Sequence, residues 1–152
     1  MPATKVIVNI PGEEAYDVRI GGGVLANLGA HLRKLPVFAE SDRALVVTDE
    51  NVAPLYRADA KEALAQAGFR VSDIAVPAGE GSKSVEVAGE IWEAMASLAL
   101  GRDCVVVALG GGVVGDLAGL CRGDLPARCV AVPDPDHAAR AGGFLGRRQD
   151  RR

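Results

Sequence analysis

Apolar runs without polar alternation recur along this chain, and segments with helical periodicity separate them. The clearest run is CVVVAL at residues 104–109, and a shorter run, ALVV, spans residues 44–47. A strand that is apolar at every position has both faces buried, which is typical of parallel sheets covered by helices on both sides. The sequence therefore predicts a doubly wound α/β domain built on a parallel sheet.

Hydrophobic periodicity, together with the positions of Pro and Gly, predicts the remaining strands and helices. Residues 6–10 and 16–20 predict two strands joined by a turn at Pro11 and Gly12. Further strands are predicted at residues 44–47, 71–76 and 104–109, and helices at 24–34, 55–67 and 84–100. In the third helix the apolar residues Val87, Ile91, Met95 and Leu98 are predicted to lie on one stripe. Strands and helices thus alternate, as a doubly wound sheet requires.

Composition excludes several classes of function. A chain of 152 residues that is 49% hydrophobic can bury the core of one domain. Its net charge of −3 and 4% aromatic content offer no basic or stacking surface, so we expect no nucleic-acid partner. Three cysteines without CxxC spacing favour reduced thiols, and 18 apolar residues nowhere run together. We expect a cytoplasmic protein that does not span a membrane.

Polar residues follow the predicted strands where ligands bind in such sheets, beyond the carboxyl ends. Asp49 and Asn51 come after residues 44–47. Asp49 could accept hydrogen bonds from ribose hydroxyls and Asn51 could bond a base, but either residue could instead cap the next helix. Both interpretations stay open for this segment on its own.

The loop after residues 71–76 reads PAGEGSKS and leads into the longest predicted helix. In it, Lys83 could pair with a phosphate, Glu80 could accept from a ribose, and Ser82 or Ser84 could cap the helix. A loop of small residues without a ligand would have the same composition. The position of the loop favours a ligand-binding role, because the loop lies at the same predicted sheet edge as the other strand ends.

The third strand end matches G-x-G-x-x-G, with Gly111, Gly112 and Val113 in the turn and Asp116 one turn into the following helix. Glycines let a backbone approach a diphosphate, and a helix N-terminus presents free N–H groups to it. A tight strand-to-helix turn without a ligand produces the same pattern. The acidic residue expected about twenty positions onward is not credibly placed here.

Together and in this order, the segments TDENV, PAGEGSKS and ALGGGVVGDLAGL resemble the nucleotide-binding half of the 3-dehydroquinate synthase family of sugar phosphate cyclases. The resemblance covers residues 5–121 and implies a Rossmann-like fold. It also implies NAD-dependent conversion of 3-deoxy-arabino-heptulosonate 7-phosphate to 3-dehydroquinate and phosphate. This step of the shikimate pathway towards aromatic amino acids is a phosphate-eliminating lyase reaction on a small sugar acid phosphate.

The resemblance assigns roles to the residues at the three strand ends. Asp49 and Asn51 would lie at the nucleoside part of NAD, and Glu80 and Lys83 around the ribose and phosphates. Gly111, Gly112 and Val113 would follow the diphosphate, with Asp116 close to the cofactor.

The family also uses a divalent metal, zinc or cobalt, held by a helical C-terminal domain that the resemblance does not reach. The chain's two histidines, His31 and His137, make a poor basis for such a site. The catalytic groups of that domain are absent as well, so we assign no catalytic or metal-binding residue and expect no turnover. Members of this family commonly form dimers, so the resemblance is compatible with a homodimer.

Composition changes after Cys121, where the predicted NAD-binding domain, residues 1–121, ends. Residues 122–152 contain seven Arg and no Lys, whereas residues 1–121 contain six Arg and four Lys. The family continues with segments like AATYLRG and PTTLLAQVDSSVGGKTG. Back-translating residues 122–128 and 134–151 with permissible codons, and reading one base later, yields both segments.

We therefore expect that a one-base insertion or its equivalent put residues 122–152 out of frame, leaving a poorly ordered tail outside the family pattern. A natural short variant with its own tail is the alternative. Two other functional readings remain, namely a free-standing nucleotide-binding module and a fragment of a related sugar phosphate cyclase or polyol dehydrogenase.

Overall fold

A computed structural model describes residues 4–9, 11, 16–101, 104–124 and 128–132. The six strands are β1 (Thr4–Val8), β2 (Tyr16–Ile20), β3 (Arg43–Asp49), β4 (Arg70–Val76), β5 (Cys104–Leu109) and β6 (Arg128–Val132). The α-helices are α1 (Leu28–Arg33), α2 (Ala53–Gln66), α3 (Val85–Ser97) and α4 (Gly112–Asp124). Two short 3₁₀ helices lie at Pro36–Phe38 and Glu80–Ser82.

The main sheet has four strands in the order β4-β3-β5-β6, and every neighbouring pair is parallel. The chain passes from β3 outward to β4, then returns across β3 to β5 and continues to β6. The strand order thus reverses between β3 and β5. The structure confirms the predicted doubly wound, Rossmann-like parallel sheet.

Helices cover both faces of this sheet because its central strands are apolar on both sides. Leu45, Val47 and Val106 pack with α3 and α4, whereas Ala44 and Val46, on the other face, pack with α1 and α2. All six residues of β5 are buried. This is the packing that the continuous run at residues 104–109 predicted.

The first two strands form a separate antiparallel sheet, with Thr4 opposite Ile20 and Val8 opposite Tyr16. The predicted strand pair is therefore confirmed. Val18 is buried, whereas the side chain of Ile7 is 60% exposed.

Two helices are shorter than predicted. Residues 22–27 form turns, so α1 begins at Leu28 and not at residue 24. Helix α3 ends at Ser97, because Ala99 adopts a positive φ of 49° that helical backbone does not allow. Leu98 consequently lies outside the helix and is 39% exposed, so its predicted place on the apolar stripe of the helix was wrong.

The sheet continues past the domain boundary predicted at Cys121. Helix α4 extends to Asp124, and β6 pairs in parallel with β5 from Val105 opposite Arg128 to Leu109 opposite Val132. The sheet thus includes the short segment RCVAV, whose β-branched and apolar residues suit pairing with the edge of β5. Residues 133–152 of the predicted tail lie outside the described residues.

Among the described residues, no helix has the length and apolar character needed to cross a membrane.

Candidate functional site at the carboxyl edge of the sheet

The three predicted loops meet at one edge of the sheet. Parallel pairing sets Asp49 opposite Val76 and Thr48 opposite Leu109, so β3, β4 and β5 end side by side. The backbone N–H of Glu50 donates to the carbonyl of Val76 at 3.0 Å, which ties the first loop to the second. The expected spatial gathering of the loops is therefore present.

Asp49 stands where the strand order reverses. Its Oδ1 accepts hydrogen bonds from the backbone N–H groups of Asn51 at 2.9 Å and Val52 at 3.0 Å, which fixes the start of α2. Its Oδ2 is 3.3 Å from the position that a Cβ on Gly110 would occupy. Asp49 therefore orders the turn that precedes α2, whose N-cap residue Val52 has no side-chain cap, and its second oxygen faces the glycine turn. Asn51 does not cap with its side chain and is exposed.

The glycine turn joins β5 to α4. A Cβ on Gly110 would lie 2.9 Å from Cγ2 of Val114, so a larger residue at this position would force the side chain of Val114 to shift. At Gly111 and Gly112, by contrast, an added Cβ would have no described atom within 4 Å. Helix α4 begins at Gly112, and its first N–H groups have no partner within the helix. The turn therefore offers open space beside donors and a partial positive charge.

Lys83 links the second loop to the third. Its Nζ lies 3.0 Å from Oε2 of Glu80 and 3.1 Å from Oδ2 of Asp116. Hydrogen bonds to Glu80 and then to Asp116 raise the pKa of the Lys83 ammonium above its ordinary value. All three side chains are exposed, with Lys83 the least so at 37%.

The loop between β4 and α3 is ordered by its serines. Ser84 is the N-cap of α3 and accepts from the N–H of Val87 at 3.3 Å, as one of the two capping alternatives predicted. Ser82 instead is buried and donates to the carbonyl of Pro77 at 2.5 Å. Gly79 has φ of 99°, which starts the 3₁₀ turn Glu80–Ser82 that periodicity did not predict. The pKa of the Glu86 carboxyl is lowered, mainly by a hydrogen bond from its own backbone N–H and to a smaller extent by a hydrogen bond from the Ser84 hydroxyl.

Sequence reasoning missed Thr48. Its side chain is fully buried, and its Oγ1 has no hydrogen-bond partner among the described residues. The available signal was a hydroxyl residue that ends an otherwise apolar strand directly before Asp49.

The described residues contain no group of three or more His, Cys, Asp or Glu that could hold a metal ion. His31 lies half-buried on α1, away from the three loops in sequence, and His137 is outside the described residues.

Residues 73–132 match the family described as 3-dehydroquinate synthase N-terminal. The chain is 52% identical over 109 residues to the 3-dehydroquinate synthase of Symbiobacterium thermophilum, covering 71% of this chain and 30% of that protein. It thus spans about a third of the length of the curated relatives it matches.

Two solved structures share the fold. A 2-deoxy-scyllo-inosose synthase complexed with carbaglucose-6-phosphate, NAD⁺ and Co²⁺ has a TM-score of 0.74 at 22% identity, covering 86% of this chain and 34% of that one. A 2-epi-5-epi-valiolone synthase from Streptomyces hygroscopicus with NAD⁺ and Zn²⁺ bound has a TM-score of 0.58 at 27% identity, covering 83% and 34%. Residues 73–132 therefore match the family of 3-dehydroquinate synthase N-terminal domains, and the chain is similar to about a third of the length of curated 3-dehydroquinate synthases.

Proposed function

We propose that the carboxyl edge of the sheet binds NAD. The observation that carries this proposal is the reversal of strand order between β3 and β5, where Oδ2 of Asp49 lies 3.3 Å from the position that a Cβ on Gly110 would occupy. In open α/β sheets, dinucleotides bind in the crevice at such a point. The S. hygroscopicus relative, which shares the fold, has NAD⁺ bound.

The geometry supports a division of roles along the dinucleotide. Gly111, Gly112 and Val113 would follow the diphosphate, because space is open beside the N–H groups at the start of α4. Asp49 would accept from ribose hydroxyls through Oδ2, and exposed Asn51 would bond the base. Glu80, Lys83 and Asp116 would line the opposite side of the crevice.

We further propose that this protein is a 3-dehydroquinate synthase, a lyase that acts on a small sugar acid phosphate. NAD supplies transient oxidation of a carbinol in this chemistry. In this proposal the described residues bind and orient the dinucleotide. They contain no group of three or more His, Cys, Asp or Glu that could hold a metal ion, so we expect no phosphate release by the 152 residues alone. Measurable phosphate release from 3-deoxy-arabino-heptulosonate 7-phosphate would contradict this expectation.

Calorimetry with NAD on the 152-residue chain tests the binding proposal. Gly112→Leu places a bulky side chain where the diphosphate would lie, without meeting a described atom at Cβ, and should abolish measurable binding. Gly89→Leu is a matched control, since Gly89 also has open space around a Cβ but lies on α3. The proposal fails if wild type does not bind NAD, or if both variants bind it equally.

A related sugar phosphate cyclase is the second candidate, favoured by the match to 2-epi-5-epi-valiolone synthase. A free-standing nucleotide-binding module is a third, favoured by β6, which extends the sheet within this chain. A free-standing module must bind NAD as an isolated chain, whereas an enzyme fragment need not.

We also propose that residues 122–152 are translated out of the family's reading frame. The family match, which runs to residue 132, counts against this proposal for residues 122–132. The change from mixed Lys and Arg to Arg alone after Cys121, and the family segments recovered one base later, support this proposal. On this account the segment that forms β6 pairs with β5 without having been selected for it, because its alternate-frame residues happen to be β-branched and apolar. Sequencing the gene tests the idea. Codons whose shifted frame does not encode AATYLRG would refute it.

A further inference from the structure

A groove with a volume of about 400 Å³ lies between the turn that precedes α1 and one face of α2. Leu25 of the turn and Tyr56 and Ala63 of α2 form its apolar walls. Ala63 is buried, and Leu25 and Tyr56 are half-buried. Tyr56, Asp59 and Ala63 are three and four positions apart, so they form one stripe along the helix. The groove therefore follows α2 and exposes an apolar surface.

The rim of the groove is acidic. Asp59 and Glu62, both exposed, border it, and no Lys or Arg is among the residues that line it. Two cations of the same helix, Arg57 and Lys61, form ion pairs with Asp73 of β4 instead. The groove therefore combines apolar walls with a negative rim.

The end of the chain has the complementary composition. Residues 133–152 contain five Arg against three Asp, whereas residues 1–121 contain sixteen Asp and Glu against ten Lys and Arg. Two large apolar residues, Phe144 and Leu145, stand in this segment, and Arg147 and Arg148 follow them closely. An apolar pair beside two guanidinium groups suits an apolar groove that has carboxylates on its rim.

The segment starts near the groove. Val132, the last residue of β6, belongs to the same buried cluster as Leu28 of α1 and Ala63 of α2. Twelve residues separate Val132 from Phe144 and span up to about 40 Å when extended. Helix α2, with 14 residues, is about 21 Å long. The chain between them is therefore long enough to reach the groove.

We propose that the C-terminal segment of this chain docks in the groove. Residues 144–145 fill the apolar walls, and residues 147–148 pair with Asp59 and Glu62 on the rim. This docking depends on the residues that the chain carries, whatever reading frame encodes them, and on no property of the NAD site.

Trypsin cleavage of the 152-residue chain tests the docking, because docking shields the bonds after Arg147 and Arg148. The rate of cleavage at these two bonds is followed by mass spectrometry. We expect the double variant Asp59→Asn/Glu62→Gln to be cleaved there about three- to tenfold faster than wild type, since it loses both ion pairs and cleavage follows the undocked population. Phe144→Ser, which leaves the sheet and its helices unchanged, should accelerate cleavage by a similar factor.

Glu90→Gln/Glu93→Gln is the matched control. Its two carboxylates have the same spacing of three and are exposed on α3, across the sheet from the groove, so cleavage should stay within twofold of wild type. Equal rates in wild type and the Asp59/Glu62 variant, or equal acceleration by the control, would overturn the proposal. Protection that grows with chain concentration would assign the groove to the segment of a second copy and overturn docking within one chain. If the groove variant is unfolded in urea titration, Phe144→Ser alone decides the outcome.

Discussion

Replacing Gly29 with alanine probes the closest helix contact in the structure. Gly29 lies in α1, is buried, and faces α2. A Cβ at this position would lie 2.3 Å from the backbone oxygen of Ala63 and 2.6 Å from Cβ of Ala67. Ordinary carbon–oxygen contacts are about 3.3–3.6 Å, so the two helices must separate by about 1 Å. The oxygen belongs to backbone and cannot turn aside.

The size of the effect follows from two opposing terms. Overpacking a buried contact costs about 1–3 kcal/mol, and a clash with backbone at 2.3 Å belongs at the upper end of that range. Alanine regains about 1 kcal/mol of helix propensity over glycine. We therefore expect Gly29→Ala to lower the free energy of unfolding by about 2 kcal/mol, which lowers Tm by about 4–8 °C in a domain of this size.

Gly89→Ala is the matched control, because an added Cβ on this α3 residue meets nothing described within 4 Å. Only the propensity term remains, so this variant should be more stable than wild type by about 1 kcal/mol. Urea unfolding is followed by fluorescence of Trp92, the chain's single tryptophan, which donates to the carbonyl of Cys121 at 3.4 Å. The reasoning is refuted if Gly29→Ala is as stable as wild type.

Two further predictions concern stability. Arg33 donates from Nε to the carbonyl of Ala67 at 2.9 Å and from Nη1 to that of Ser41 at 2.6 Å, and its guanidinium stacks 3.7 Å from the ring centroid of Phe69. The ammonium of lysine cannot make these separate, forked hydrogen bonds or the same stacking contact. Arg33→Lys should therefore lower the free energy of unfolding by about 2 kcal/mol, and an unchanged urea midpoint would contradict this prediction. Burial raises the pKa of the Cys104 thiol from 9.0 to about 11. The folded state keeps this proton longer than the unfolded state, so the associated stability is complete below pH 9 and is lost as pH rises to 11. Wild type should therefore lose about 1 kcal/mol relative to Cys104→Ala between pH 7 and pH 10, and parallel pH profiles would show the reasoning to be wrong.

Prediction from sequence succeeded where one local property decides the structure. The apolar run that forms β5 predicted burial on both faces, and Ser84 predicted the start of α3, because strand burial and N-capping are read from neighbouring residues. It failed at Leu98, whose place in the helical period is lost when Ala99 turns the chain to positive φ. It also did not predict β6, since strand pairing depends on the edge of β5 as well as on the segment itself.

The sequence by itself determined the alternation of strands and helices, the glycine turn and the polar residues after each strand, because these depend on periodicity and on local backbone preference. The tertiary structure decided what those polar residues do. Asp49 uses one oxygen to order the turn before α2 and turns the other toward Gly110, and Lys83 is shared between Glu80 and Asp116. These contacts join residues from different strand ends, and parallel pairing of β3, β4 and β5 brings those ends to one edge.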